Sequence, residues 1–180
     1  MIKLVWLNKY LMDSCTIRYA KKSDAKTIAD LYLKFANYHI DVVKAFKTDE
    51  LLKNIRKEVY THYLKESIPH KNLLVAEVDG KVVGFCELDK IQGGVAHKIT
   101  GDLALKDKNA VYISDVYVAD EYQGLGIGKK FLKKVEEIRK ERGMKRIELL
   151  TYLNNTKAIN FFTKRGFKPV ALVMMRKYKK

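Results

Sequence analysis

The sequence predicts an α/β fold, a mixed, mostly antiparallel central sheet flanked by helices in the order β-α-α-β-β-β-α-β-α-β. Three observations carry that reading. Two β-rich runs, Leu73–Val78 and Lys81–Leu88, meet at Asp79-Gly80, a dipeptide that supplies the positive backbone angles of a tight hairpin. A β-branched and aromatic run from Val111 to Val118 leads into a glycine-rich turn and then a helical pattern. Strand and helix periods continue to alternate after it, but the antiparallel hairpin ahead of them does not spell a doubly wound nucleotide fold.

Taken in order, Thr16–Ala20 alternates weakly as a strand, and Ser23 stands where an N-cap should precede a helix carrying Ala25, Ile28, Ala29, Leu31, Tyr32 and Phe35 on one face. A second helical pattern follows Thr48 through Leu51, Leu52, Ile55, Val59 and Leu64, and stops before Pro69, whose ring disfavours helix in the residue ahead of it. After the hairpin, residues 89–109 lose all periodicity around Gly93-Gly94 and Gly101, which reads as a long loop. Beyond the strand Val111–Val118 the pattern gives a helix over Gly126–Arg142 and a strand over Arg146–Leu153. A helix over Thr156–Lys164 is closed at Gly166, and a last strand runs over Phe167–Arg176.

With 180 residues and no Pro- or Gly/Ser-rich linker, the chain reads as one domain over 15–180 with residues 1–14 as an N-terminal extension, Met12 offering a second start. Hydrophobic residues at 47% and charged residues at 32% exclude a disordered or a membrane protein. The apolar start is interrupted by Asn8 and Lys9 and has no small-residue cleavage site, so no signal peptide is expected. Cys15 and Cys86 cannot form a disulfide framework and lack metal-ligand spacing, which points to a reducing, cytoplasmic setting. The formal charge of +15 favours polyanionic partners, nucleic acid or a phosphorylated cofactor. The basic residues are spread through nearly every segment, however, so a solvated face accounts for most of them and nucleic acid is not required.

The turn Gln123-Gly-Leu-Gly-Ile-Gly-Lys129 leaves backbone uncovered where a helix begins, with Ile127, Phe131, Leu132, Val135 and Ile138 on that helix's apolar face. Free amides there can point at phosphate oxygens, and the helix dipole adds roughly 0.3–1 kcal/mol for an anion. A Walker-type loop is excluded because Lys130, not Ser or Thr, follows Lys129, and a dinucleotide fingerprint because Lys129 stands where its third glycine should be.

Two blocks then resemble the GNAT superfamily of N-acetyltransferases. The strand Tyr112-Ile-Ser-Asp-Val-Tyr-Val118 followed by Gln123-Gly-Leu-Gly-Ile-Gly128 is similar to the family's Gln/Arg-x-x-Gly-x-Gly/Ala motif. Asn155-Thr-Lys-Ala-Ile-Asn-Phe-Phe-Thr-Lys-Arg-Gly-Phe167 is similar to its Asn-x-x-Ala-x-x-x-Tyr-x-x-x-Gly-Phe block. The strand preceding the glycines also resembles that of diamine and other small-amine acetyltransferases, although Ser114 takes the place of one of their acidic residues.

The resemblance implies acetyl-CoA (coenzyme A) as cofactor. Val116, Tyr117 and Val118 would bind the pantetheine arm as an added strand, and Gln123, Gly124, Leu125, Gly126, Ile127, Gly128 and Lys129 would hold the pyrophosphate. Asn155, Thr156, Lys157, Ala158 and Phe162 would line the cofactor's other side, Asn155 serving equally as a helix N-cap. Phe162 stands at the family's general-acid tyrosine and cannot donate a proton, which leaves water or a displaced tyrosine, Tyr152 or Tyr117, as substitutes.

For the base, Asp115 comes first, because a carboxylate is out of place in so apolar a strand unless it serves a cation or a water. Ser114, Glu87, His39 and Glu148 are candidates for contact with the acceptor, Glu87 reading equally as a solvated strand end. Cys86 reads as a small buried hydrophobe, and no metal site is expected. The implied function is direct acetyl transfer from acetyl-CoA to a primary amine of a small molecule or peptide. Alternatives are acetylation of protein N-termini or lysines, or a non-catalytic acetyl-CoA-binding regulator. No membrane partner is expected, and a homodimer is compatible with the sequence.

Overall fold

The structure, a computed structural model, describes residues 13–43, 58–89, 109–172 and 176. Its sheet has five strands in the order β1 (Thr16–Tyr19), β2 (Leu73–Val78), β3 (Lys81–Asp89), β4 (Ala110–Val118) and β5 (Arg146–Leu149). The first four pair antiparallel and β5 runs parallel to β4. The helices are α1 (Ala25–Val43), α2 (Ile127–Glu141) and α3 (Thr156–Thr163), with one π-helical turn over Tyr63–Ser67. Asp79 and Gly80 form the β2–β3 turn at φ of 48° and 75°, the left-handed pair that matches the twist of a two-residue hairpin.

Alternation along the strands divides the core in two. Leu74, Cys86, Leu88, Val111 and Ile113 face α2, whose Ile127, Phe131, Val135 and Ile138 recur at helical spacing and are all nearly inaccessible. Burying each such side chain contributes on the order of 1.5–3 kcal/mol, so this seam fixes the register of the sheet against α2. Leu73, Val75, Phe85 and Tyr117 point the other way, onto Ile28 and Leu31 of α1 and onto Tyr63 of the π turn.

Several boundaries differ from those the sequence predicts. The first helix is not capped by Ser23: Lys22–Asp24 forms a short 3-10 turn, and the Asp24 carboxylate accepts from the Lys21 amide at 2.7 Å. The cap position falls on Lys21, and Asp24, three residues on, reaches back to its amide while also holding Arg18. The second helix is seen from residue 58, its earlier part lying outside the described residues, as do 1–12 and 90–108. β5 ends at Leu149 rather than Leu153, because its pairing with β4 stops at Ile113. No strand forms over Phe167–Leu172, where Pro169 has no amide to offer a ladder and Val170 and Leu172 are exposed.

Candidate active site

The early end of β5 shapes the site. β4 runs nine residues, yet β5 accompanies it only through Ile113, so Ser114–Val118 has no strand beside it on that side among the described residues. Such an edge can take an extended ligand into the sheet. At its far end Gln123 folds back, its Nε2 donating to the Val118 carbonyl at 2.9 Å and to Asp120 at 2.7 Å. The glycine turn follows directly. Gly124 and Gly126 adopt φ of 78° and 83°, and Gly126 is the cap from which α2 starts. The amides of Lys129 and Lys130 return to the Gly126 carbonyl, whereas those of Gly124 to Gly128 reach no backbone acceptor among the described residues. Five open amides at a helix N-terminus form a cradle suited to an anion.

On the other side of β4 lies an acidic cavity. β3 and β4 shift register between Glu87 and Leu88, a bulge that sets Glu87 directly opposite Asp115. Ser114 is the extra residue, and its hydroxyl donates to the Glu87 carbonyl at 3.2 Å. Paired residues of an antiparallel ladder share a face, so both carboxylates look toward α1 and the π turn. There a cavity of about 260 Å³ is lined by Tyr32, Glu58, Val59, His62, Tyr63, Glu87 and Asp115. Glu87 is buried rather than the solvated strand end that the sequence allowed. It accepts from Ser67 Oγ and lies 3.3 Å from His62 Nε2.

A third group joins α1 to α3. Asn155 caps α3, its side chain accepting from the Ala158 amide at 3.2 Å and from the Tyr38 hydroxyl at 3.1 Å. His39 is 3.2 Å from the Phe35 carbonyl and meets the Tyr152 ring edge-on at 6.0 Å.

With this geometry in view, comparison with known proteins is decisive. Residues 39–167 match the Acetyltransferase (GNAT) family. The chain belongs to that family. A thialysine N-epsilon-acetyltransferase of Sus scrofa is 28% identical over 158 residues, covering 86% of this chain and 85% of the relative. An uncharacterized N-acetyltransferase of Methanocaldococcus jannaschii is 26% identical over 165 residues, 91% of this chain, which spans only 65% of that relative's length. Among solved structures, the PaiA N-acetyltransferase of Thermoplasma acidophilum in complex with coenzyme A superposes with a TM-score of 0.67 at 23% identity, over 86% of this chain and 90% of that one. That likeness extends to the mixed sheet flanked by helices.

Within this GNAT fold the electrostatics of the cavity are unusual for a chain of such positive charge. Burial, with Glu87 and Asp89 nearby, pushes the Asp115 carboxyl up to about 6, and Asp115 has no cationic ion-pair partner among the described residues. Burial, with Asp115 and Glu87 nearby, also pushes the Tyr32 hydroxyl up to about 12 and Tyr63 higher still, so both phenols keep their protons. The cavity thus offers three carboxylates, those of Glu58, Glu87 and Asp115, and two phenol hydroxyls.

The sequence-derived candidates therefore separate. Glu87 and Asp115 come together, with Ser114 stitching the bulge beneath them. His39 and Tyr152 stand with Asn155 near the end of α1 and do not line the cavity. Glu148 is held by Arg146 beside Tyr112, away from the pair. The Tyr117 hydroxyl donates to Asp120, and burial beside that acid pushes it up to about 12. Phe162 is buried edge-on against Phe161 and Phe167, while Thr156 and Lys157 are exposed on the first turn of α3.

His62, Tyr63, Ser67 and Tyr32 were not singled out from the sequence. The only available signal was their placement on the two helical patterns ahead of the hairpin.

Proposed function

We propose that the protein is an acetyl-CoA-dependent N-acetyltransferase acting on a small, cationic primary amine by direct attack. The observation that carries the reading is the Glu87–Asp115 pair, set where β5 parts from β4, two residues past the last β4–β5 pairing. The two sides of β4 then supply the two substrates. The open edge at Val116, Tyr117 and Val118 fits an extended amide-bearing arm, and the amides of Gly124 to Gly128 fit its pyrophosphate, with Lys129 and the start of α3 alongside. Acetyl-CoA has both features and supplies the activated acetyl group.

The acidic cavity attracts an ammonium, which is the form an alkyl amine takes at neutral pH. Asp115, partly protonated near neutrality and uncompensated by any cation, is suited to remove the ammonium proton and free the nitrogen lone pair. Tyr32 and Tyr63 hold their protons, and their hydroxyl oxygens can orient the ammonium by accepting from it directly or through a bridging water. Tyr152, exposed beside His39, is our candidate for donating to the departing thiolate in place of Phe162. A cavity of about 260 Å³ accommodates an amine of lysine side-chain size better than a folded protein surface, and the named activity of the porcine relative points the same way.

Release of free thiol from acetyl-CoA, measured across diamines, amino acids, aminoglycosides and lysyl or N-terminal peptides, tests the reading. Turnover is expected with small diamines or lysine analogues. Turnover confined to peptides would redirect the assignment to protein acetylation, and acetyl-CoA binding without turnover on any amine would favour a sensor. Gly126→Val should weaken acetyl-CoA binding by about 100-fold or more, because a β-branched residue cannot hold the left-handed cap that exposes the amides.

A further inference from the structure

Acetylation of an ammonium by a thioester yields an amide, a free thiol and one proton, so one proton per turnover must reach solvent. Asp115 is enclosed with another acid, and neither is a ready exit. His62 connects that enclosure to the outside. Its Nε2 lies 3.3 Å from both Glu87 Oε1 and Ser67 Oγ, and its side chain is 53% exposed where that of Glu87 is 10% exposed.

The π turn creates this bridge. The Ile68 amide bonds to the Tyr63 carbonyl at 3.0 Å, five residues back, and the widened turn brings Ser67 alongside His62. In a regular α-helix, side chains five residues apart diverge by about 140°. The Ser67 hydroxyl gives its hydrogen to Glu87, which fixes the carboxylate oxygen facing the imidazole. Around His62 stand Glu58 and Tyr63 from its own segment, Tyr32 from α1, Glu87 from β3 and Asp115 from β4, and no lysine or arginine is among the described residues that line the cavity. The Tyr63 hydroxyl is fully buried and lines the same cavity, with Glu87 as its neighbouring acid.

Resting on the acetyltransferase reading, we propose that His62 is the outlet through which the acceptor's proton leaves the cavity. The acceptor N–H bond breaks as an O–H bond forms on Asp115. Asp115 returns to carboxylate as the proton passes to Glu87 Oε1, directly or through one water. Glu87 then protonates His62 Nε2, and the ring gives up its Nδ1 proton to a bulk base. Tautomer exchange resets the ring, and each turnover exports one proton with no residue left changed. Imidazole suits the role because its charge changes nearest neutrality among side chains.

The experiment compares wild type, His62→Ala and His62→Gln from pH 6 to 9, with and without added imidazole. Both variants should lose about tenfold in kcat with little change in KM for acetyl-CoA, and imidazole should restore much of the loss, as for a removed proton-transfer group. Glutamine keeps a hydrogen bond to Glu87 without exchanging a proton, so a His62→Gln enzyme with wild-type kcat and pH profile would overturn the proposal. So would a loss that falls entirely on acceptor KM. If wild type itself acetylates no amine, the functional reading fails, but the relay is still tested by the ring-nitrogen NMR signals of His62. Those signals should move in Glu87→Gln and in Asp115→Asn, and signals unmoved by both would sink the outlet whatever the enzyme acts on.

Discussion

Two sets of acids, each at least half-buried, lie against one sheet, and their opposite treatment separates scaffold from site. Between β1, β2 and α1, Asp24 is held by Arg18 through two bonds, Nη1 to Oδ2 at 2.7 Å and Nη2 to Oδ1 at 3.1 Å. The same guanidinium gives Nε to Glu77 at 2.8 Å. Burial works to raise the Asp24 carboxyl, yet the bonds from Arg18 and the Lys21 amide outweigh it and hold Asp24 below the usual carboxylate range. Between β3 and β4, Glu87 and Asp115 face each other with the half-exposed His62 as the one basic neighbour among the described residues, and Asp115 is raised. The chain carries a formal charge of +15, yet among the described residues no lysine or arginine lines that cavity. Desolvation alone does not decide an acid's role; what decides it is whether the fold supplies a counter-charge or leaves that to a ligand.

Exchanging each acid for its amide tests this contrast most sharply through turnover. Asp115→Asn should lower kcat/KM for the amine by about 10²–10⁴-fold, the range that a positioned general base contributes. Asp24→Asn, far from the cavity in function, should keep turnover within a few-fold of wild type at temperatures where it remains folded. Wild-type kcat/KM should also rise from pH 5 through about 6 as Asp115 ionises, and this limb should vanish in Asp115→Asn. Steady-state thiol release across that pH range measures all of it.

The second contrast is in stability. Removing one member of a partly buried, bidentate ion pair leaves Arg18 with Glu77 as its remaining partner, so Asp24→Asn should cost about 2 kcal/mol at pH 7. Because Asp24 is lowered in the folded state, its contribution is present above the unfolded-state value and is lost as pH falls through the folded one. Urea unfolding of the variant and wild type should therefore differ at pH 7 and converge in acid below about pH 4.

The same contrast governs what was legible in the sequence. The Asp79-Gly80 turn, the glycine cradle at Gly124–Gly128 and the Asn155 cap are local: each is stated by a few adjacent residues, and each stands in the structure as the sequence predicts. Asp115 was visible for the same reason, as a lone carboxylate in an apolar strand. The features that were not legible depend on pairing across space. Whether Glu87 faces water or the cavity is set by a bulge against β4, and the early end of β5 by where two strands diverge. His62, Ser67 and Glu87 are brought together by a π turn, and helical periodicity in the sequence does not distinguish that from an ordinary one. Ser23 was the expected cap by residue type, but the turn starts two residues earlier, at Lys21, where Asp24 can bond back to the cap amide and to Arg18.

The smallest expected effect has the opposite sign and completes the comparison. The Asp115 carboxyl is raised in the folded state, so ionising it there costs more than ionising it in the unfolded chain. Wild type is accordingly free of that cost below the unfolded-state value near 4 and loses stability as pH rises through about 6. Asp115→Asn removes the charge and should be more stable than wild type by about 1–2 kcal/mol at pH 8, less than the full shift implies because the cavity admits water. The gain should disappear at pH 4, where both side chains are neutral. An acid whose amide variant is more stable but far less active is one retained for function. Thermal or urea unfolding at the two pH values would show the reverse for Asp115 if its carboxylate were instead a structural partner like that of Asp24.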